Sequence, residues 1–234
     1  MCTVSFVNAN GRIIITSNRD EQVVRPAIPP AAYSVNGHDL VFPKDPKAGG
    51  TWFATDQNAN VLVLLNGAVE KHQYLPPYRR SRGLIVLDIL GSGSPLKSWE
   101  SIDLDRVEPF TLVLFYHSEL HQLRWDGVRK DSLHLDSSKN HIWSSSTLYP
   151  KEIRETRAAW FYNFLNITPE ITASDMLHFH RYTERGNAEH GLVINREGKL
   201  KTLSITQAVV ENQQLSLTYT DLIDESTFDR LITR

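Results

Sequence analysis

The chain has a single cysteine, and it stands at position 2, directly after Met1. A small second side chain permits removal of Met1, which would leave a thiol and a free α-amine on one residue. An α-amine titrates near about 8 and a thiol near about 8.5, so the amine of Cys2 is a competent base for the thiol of Cys2. Nucleophile and base then arrive together, and no separate histidine is needed to attack an acyl carbon. A cysteine opening an apolar strand also serves simply as a small hydrophobe. The residues around it decide between these roles.

Ser17-Asn18-Arg19-Asp20-Glu21 follows the apolar run Ile13-Ile14-Ile15. If Cys2 to Asn8 and Arg12 to Thr16 form a hairpin about Asn10-Gly11, residues far from the turn oppose one another, and Ser17 to Asp20 fall at the Cys2 end. Arg19 there lowers the thiol pKa or holds a substrate oxygen, and Asp20 accepts a hydrogen bond from the α-ammonium. Glu21 is the alternative carboxylate. Without a site, the same cluster is a solvated strand end. Asn66, before Gly67, offers a side-chain amide to an oxyanion, or is an ordinary turn residue. Ser145, within Ser144-Ser145-Ser146-Thr147, serves the site or caps the following helix. Trp52 can wall a pocket, and Arg82, in the basic run Tyr78 to Arg82, can hold an anion near a helix start. Asn18 and Glu21 complete the candidate substrate-binding set with Trp52, Arg82 and Ser145.

Buried strands must position these groups. Thr51 to Thr55 and Val61 to Leu65 read as a second hairpin, too apolar for a sheet with one wet face. The proline-rich stretch Arg25 to Pro46 reads as an ordered surface excursion of a length that often lines a site. Ser81 caps a helix over Leu84 to Leu90, stopped by Gly91-Ser92-Gly93-Ser94-Pro95. Phe110 to Ser145 reads as a four-strand meander, and Pro150 opens a helix that ends near Asn166. A further helix spans Ala173 to Tyr182, and strands are expected at Gly191 to Asn195, Leu200 to Ala208 and Gln214 to Thr220. Strands bracketing a helical middle predict an α+β fold: a four-layer αββα sandwich of two mainly antiparallel sheets in one domain over residues 1–234.

Met1-Cys2, Ser17 to Glu21, Gly49-Gly50-Thr51-Trp52-Phe53, Leu65-Asn66-Gly67 and Ser81-Arg82-Gly83, in that order, resemble the NRDE proteins, or transport-and-Golgi-organisation family. The resemblance covers the N-terminal half and is diffuse after about Phe110. It implies an N-terminal-nucleophile (Ntn) hydrolase-like fold, and Met1-Cys2-Thr3 is also similar to the choloylglycine and penicillin-V acylase group. By resemblance, Cys2 is nucleophile and base, Arg19 and Asp20 its activating pair, and Asn66 an oxyanion or substrate ligand. One block departs: relatives usually show a Ser-Asn pair where this chain reads Trp143-Ser144-Ser145-Ser146, which removes a possible amide donor.

Composition narrows the partners. With 25 basic and 27 acidic residues the net charge is −2, which gives no electrostatic reason for binding nucleic acid. No secretory n-region and h-region opens the chain and no apolar run reaches membrane-span length, so a cytoplasmic location is the default. No cofactor is called for. The near-pairs among the nine histidines, such as His117 with His121 and His178 with His180, do not share a helix face and are read as packing, not metal ligands. Two functions stay open: hydrolysis or acyl transfer on a small-molecule amide through a Cys2 thioester, and non-catalytic carriage or trafficking of a hydrophobic ligand such as a lipid or haem in the same pocket. Oligomeric state is not encoded in any of these features.

Overall fold

In the computed structural model, which describes residues 3–232, β1 (Thr3–Ala9) and β2 (Arg12–Gln22) form the expected hairpin. Asn10 and Gly11 turn it with φ of 54° and 87°, a conformation that asparagine and glycine adopt most easily. Cys2 lies outside the described residues. A second hairpin, β3 (Ile28–Val35) and β4 (His38–Lys44), leads to β5 (Phe53–Asp56) and β6 (Val61–Asn66). Helices α1 (Arg82–Leu90) and α2 (Pro95–Ser101) follow, then β7 (Phe110–Tyr116), β8 (Glu119–Trp125), β9 (Lys130–Leu135) and β10 (His141–Ser144). The chain continues through α3 (Lys151–Ile167), α4 (Ala173–Tyr182) and the short β11 (Asn195–Arg196). It closes with β12 (Leu200–Glu211), β13 (Gln214–Asp221) and β14 (Thr227–Ile232).

Among the described residues these strands make two seven-stranded sheets, and every named pairing is antiparallel. One runs β10-β1-β2-β12-β13-β14, with β11 beside β12, and the other runs β3 to β9 in sequence order. The inward residues Val4, Phe6, Ile13 and Ile15 of the first sheet join Val63, Leu65 and Phe115 of the second in one core. Phe6 and Phe115 meet across it with ring centroids 5.9 Å apart. The outward residues Val7 and Ile14 pack on Phe161 of α3 and on Met176 and Phe179 of α4, while Ile85, Val86 and Ile89 of α1 cover the second sheet. Both sheets are thus apolar on both faces, which is why their strands read as continuous apolar runs. The layers are helices, sheet, sheet, helices, the expected α+β sandwich.

Four local expectations need correction. Arg25 to Pro46 is not an excursion but the edge hairpin β3–β4. Pro29 and Pro30 sit where the β3–β4 register is broken, between Ile28 and Ala31, on an edge strand that needs no second partner. β10 leaves the meander and pairs with β1 in the other sheet. Gly91 to Pro95 ends α1 but also starts α2, because Pro95 suits a first helical position. Gly191 to Ile194 forms no ladder, since its backbone groups bond side chains instead: Gly191 O accepts from Arg157, Leu192 O from Asn18, and Ile194 N–H donates to Thr202. β14, which the sequence did not announce, completes the first sheet beside β13.

Two glycines fix how α1 meets the second sheet. A Cβ on Gly50 would lie 2.3 Å from the Gly83 carbonyl carbon, and one on Gly83 would lie 2.8 Å from Thr51 O. The Gly49-Gly50-Thr51-Trp52-Phe53 and Ser81-Arg82-Gly83 blocks therefore touch backbone to backbone, joined by Thr51 N–H donating to Gly83 O at 3.1 Å. Neither backbone can yield without moving Trp52 or Arg82. Gly83→Ala is expected to destabilise by about 1–3 kcal/mol, measurable as a lower urea midpoint; an unchanged midpoint would show that the contact relaxes freely.

Candidate active site

The ladder between β1 and β2 ends at Thr3 opposite Asn18, with Val4 opposite Ser17. Side chains alternate along β2. Ile13, Ile15, Ser17 and Arg19 therefore face the second sheet, and Ile14, Thr16, Asn18 and Asp20 face α3 and α4. Ser17 to Asp20 are buried, which rules out the alternative of a solvated strand end. β2 is flanked on both sides by β1 and β12, so its polar residues have to find partners within the fold.

On the outer face they do. Asn18 Nδ2 donates to His180 O at 3.1 Å and Leu192 O at 2.7 Å, while Asn18 Oδ1 is bonded to His180 Nδ1. An amide oxygen can only accept, so Nδ1 carries the imidazole proton and Nε2 accepts from Ser5 Oγ at 2.7 Å. Asn18, expected to bind substrate, ties β2 to α4 and does not line the cleft described below. Burial pulls the His180 pKa down to about 3, with Arg157 adding to the effect. A pKa depressed below the ordinary 6.5 means that the unfolded chain binds the proton more readily. The stabilisation from neutral His180 is therefore complete above about pH 6.5 and is lost as pH falls toward about 3. The expected slope from this group is about 1.4 kcal/mol per pH unit. His180→Gln should flatten the fall of the urea midpoint across that window; an identical pH dependence in the variant would refute the assignment.

Asp20 shares that face. It accepts from Tyr149 Oη at 2.7 Å and Thr202 Oγ1 at 2.5 Å. Tyr149 in turn lies under the guanidinium of fully buried Arg157, 3.6 Å from the ring centroid, and Arg157 Nη1 donates to Thr3 Oγ1 at 2.6 Å. Tyr149, Arg157 and Thr202 were not singled out in the sequence. Thr202 meets Asp20 because β12 pairs beyond β2 and sets the two residues opposite one another, a non-local match that carries no sequence signal. Arg157 stood on a helix face otherwise read only for its aromatic residues.

Arg19 faces the other way, into a cleft of about 320 Å³. Its side chain is almost wholly enclosed, with Nη1 donating to Arg25 O at 2.9 Å and the guanidinium 4.5 Å from the Trp52 ring centroid. Nη2 is buried with no hydrogen-bond partner among the described residues, and so is Trp52 Nε1. Burial lowers the Arg19 pKa, an effect opposed by Glu21 and Asp45. Two enclosed donors without acceptors in one cleft are a preformed place for an oxygen-bearing ligand.

Glu21, Asn66 and Arg82 line the same cleft. Glu21 pairs with Arg25 at 3.2 Å, and Arg25 also pairs with Asp45. Arg82 pairs with Glu108 at 2.9 Å and donates to Pro109 O at 3.2 Å; burial lowers its pKa, countered by Glu108. Arg25 and Asp45 fall within the stretch Arg25 to Pro46 expected to line a site and Arg80 within the basic run Tyr78 to Arg82, whereas Glu108 was missed as a wall residue. Ser145 does not reach the cleft: its hydroxyl donates to Asn66 O at 2.8 Å and is 2.8 Å from Thr147 Oγ1, and it lines a neighbouring cavity. The structure thus brings Arg19, Glu21, Trp52, Asn66 and Arg82 together, sets Asp20 behind Arg19 on the opposite face, and leaves Asn18 and Ser145 in supporting positions. Glu119, His121 and His134 form the cluster of potential metal ligands found among the described residues, their donor atoms within 4.8 Å of one another. It lies on β8 and β9, away from the cleft, and neighbouring strands rather than helix spacing create it.

A family model described as Transport and Golgi organisation 2 matches residues 1–209. No curated protein matches the sequence. Among solved structures, an N-acylethanolamine-hydrolyzing acid amidase ortholog from Caenorhabditis elegans superposes with a TM-score of 0.62 at 11% identity, over 88% of this chain and 92% of that one. The C2A mutant of a conjugated bile acid hydrolase from Clostridium perfringens superposes with a TM-score of 0.55 at 8% identity, over 99% and 92%. These neighbours have the Ntn-hydrolase fold. At such identities the likeness is one of fold. No helix among the described residues is long and apolar enough to cross a membrane.

Proposed function

The chain belongs to the Transport and Golgi organisation 2 family, and from that premise we propose that it is an N-terminal cysteine amidohydrolase acting on a non-peptide C–N bond of a small molecule. The observation that carries this reading is the end of the β1–β2 ladder. The pairing of Thr3 with Asn18 puts the start of β1 next to Arg19, whose unpartnered Nη2 lies at the cleft. A cation beside a thiol favours the thiolate.

In the proposed reaction the α-amine of Cys2 takes the thiol proton and the thiolate attacks the amide carbon. The oxyanion forms toward Asn66 and the free donor of Arg19. Collapse breaks the C–N bond, the ammonium returns its proton to the leaving amine, and a thioester remains. Water then adds to the thioester, releases the acid and regenerates Cys2. Asp20 acts behind the reacting atoms by orienting the amine; Glu21, Trp52 and Arg82 shape the cleft for substrate. The two named fold neighbours are, by their descriptions, amidase and hydrolase, which agrees with this chemistry.

A non-catalytic carrier on the same fold is the second reading, favoured by Ser145, whose hydroxyl is committed to Asn66 O and Thr147 and offers no donor in place of the missing asparagine. The arginines and carboxylates of the cleft suit a polar ligand better than a wholly apolar one. Incubating the intact chain with a panel of N-acyl amides and quenching in acid separates the two readings. The hydrolase reading expects a mass increase equal to the acyl group and its removal by hydroxylamine. Ligand binding with no acyl adduct for any amide would leave the carrier.

A further inference from the structure

Beside the cleft, across the end of β6, lies a second cavity of about 190 Å³, lined by Gly67, Arg124, Ser144, Ser145, Ser146 and Arg154 with apolar residues around them. Its walls hold two guanidinium groups and no carboxylate. Arg124 on β8 has Nη2 donating to Gln122 Oε1 at 3.2 Å, and no ion pair of Arg124 is found among the described residues. Arg154 on α3 donates to Val69 O at 2.9 Å and makes an ion pair of 3.3 Å with Glu70, which is largely exposed. The Nε of each arginine is buried without a partner. Buried donors without acceptors are rare, and each is costly unless a ligand or water completes it.

Electrostatics point the same way. Burial lowers the Arg124 pKa, Arg154 adds to the lowering, and Asp131 across the β8–β9 ladder opposes it. The two cations thus feel one another across a cavity with no carboxylate in its lining, while Glu70 and Asp131 act from outside it. Three serine hydroxyls lie at the same walls. Ser145 is already committed to Asn66 O, and Ser146 Oγ donates to Glu70 O at a long 3.3 Å. Gly67 keeps the cavity open: its φ is +83° and a Cβ there would lie 2.2 Å from Ser146 Oγ.

We propose that this cavity is an oxyanion-binding site, in which Arg124 Nε and Arg154 Nε donate to the oxygens of a phosphate or carboxylate group. Two donors on different elements, β8 and α3, suit a group with at least two acceptor oxygens. Occupancy would also brace the β6 end carrying Asn66, through the Ser145 hydrogen bond. The proposal does not depend on catalysis by Cys2.

The test is isothermal titration of the full chain with inorganic phosphate and, separately, with acetate. One saturable site is expected for at least one anion, weakened at least tenfold in Arg124→Gln and in Arg154→Gln and unchanged in Arg82→Gln, which alters the neighbouring cleft. Circular dichroism confirms that the variants fold, and Arg124→Lys, which keeps the charge but loses the planar donor set, should bind between wild type and Arg124→Gln. No saturable binding of either anion at concentrations about tenfold above a ~1 mM Kd would overturn the proposal. So would binding lost in Arg82→Gln but kept in the Arg124 and Arg154 variants.

Discussion

Replacing Arg19 with methionine is expected to lower amide turnover by about 10²–10³-fold while leaving the protein as stable as the wild type or more so. The two halves of this expectation have one cause. Arg19 is almost wholly buried, its Nη2 has no partner among the described residues, and burial depresses its pKa. A buried charge with incomplete hydrogen bonding is a weak contributor to folding, and a well-packed apolar substitute of similar length is often neutral or stabilising. The same charge beside a thiol raises the thiolate fraction, so the variant should also move the pH–rate profile toward higher pH. Arg19→Lys should retain the charge effect but lose the contact with Arg25 O or the stacking on Trp52. Kinetics and urea unfolding on the same preparations check both halves. A large loss of stability with unchanged turnover would make Arg19 a structural residue.

Cys2→Ala is expected to have the larger effect: loss of the acyl-enzyme and of turnover by about 10⁴-fold or more, as when the nucleophile of a covalent mechanism is removed. Residual turnover would then come from cleft binding and oxyanion stabilisation alone. Single-turnover measurements with the best substrate of the amide panel read this directly, because they isolate acylation from product release. Activity equal to wild type would remove Cys2 from the mechanism, whatever the fold.

The sandwich was legible in the sequence because its signals are local and redundant. Asn10-Gly11 marks a tight turn, Ile13 to Ile15 and Val61 to Leu65 announce strands covered on both faces, and Ser81 caps α1, accepting from Gly83 N–H. Hairpin geometry also put Ser17 to Asp20 beside the start of β1, where Thr3 pairs with Asn18; Cys2 itself lies outside the described residues. What escaped was non-local. β10 crosses to the first sheet because its partner is β1, more than a hundred residues earlier in the chain, and no pattern inside His141 to Ser144 states that. Asn18 fell outside the cleft for a simpler reason: alternation sends it to the face opposite Arg19, and His180 on α4 was waiting there. Glu108 could be assigned to the cleft wall only once α1 and β7 were assembled. Charged residues at the ends of strands look alike in sequence whether they face water or a site.

The most direct test of the central claim is the intact mass and thiol reactivity of protein made with an untagged N-terminus, measured for wild type and Cys2→Ala after brief exposure to an electrophilic probe. The account predicts loss of Met1, one probe per wild-type chain, labelling faster than a free thiol, and none in the variant. Retained Met1, or a Cys2 that labels no faster than a free thiol, would contradict it.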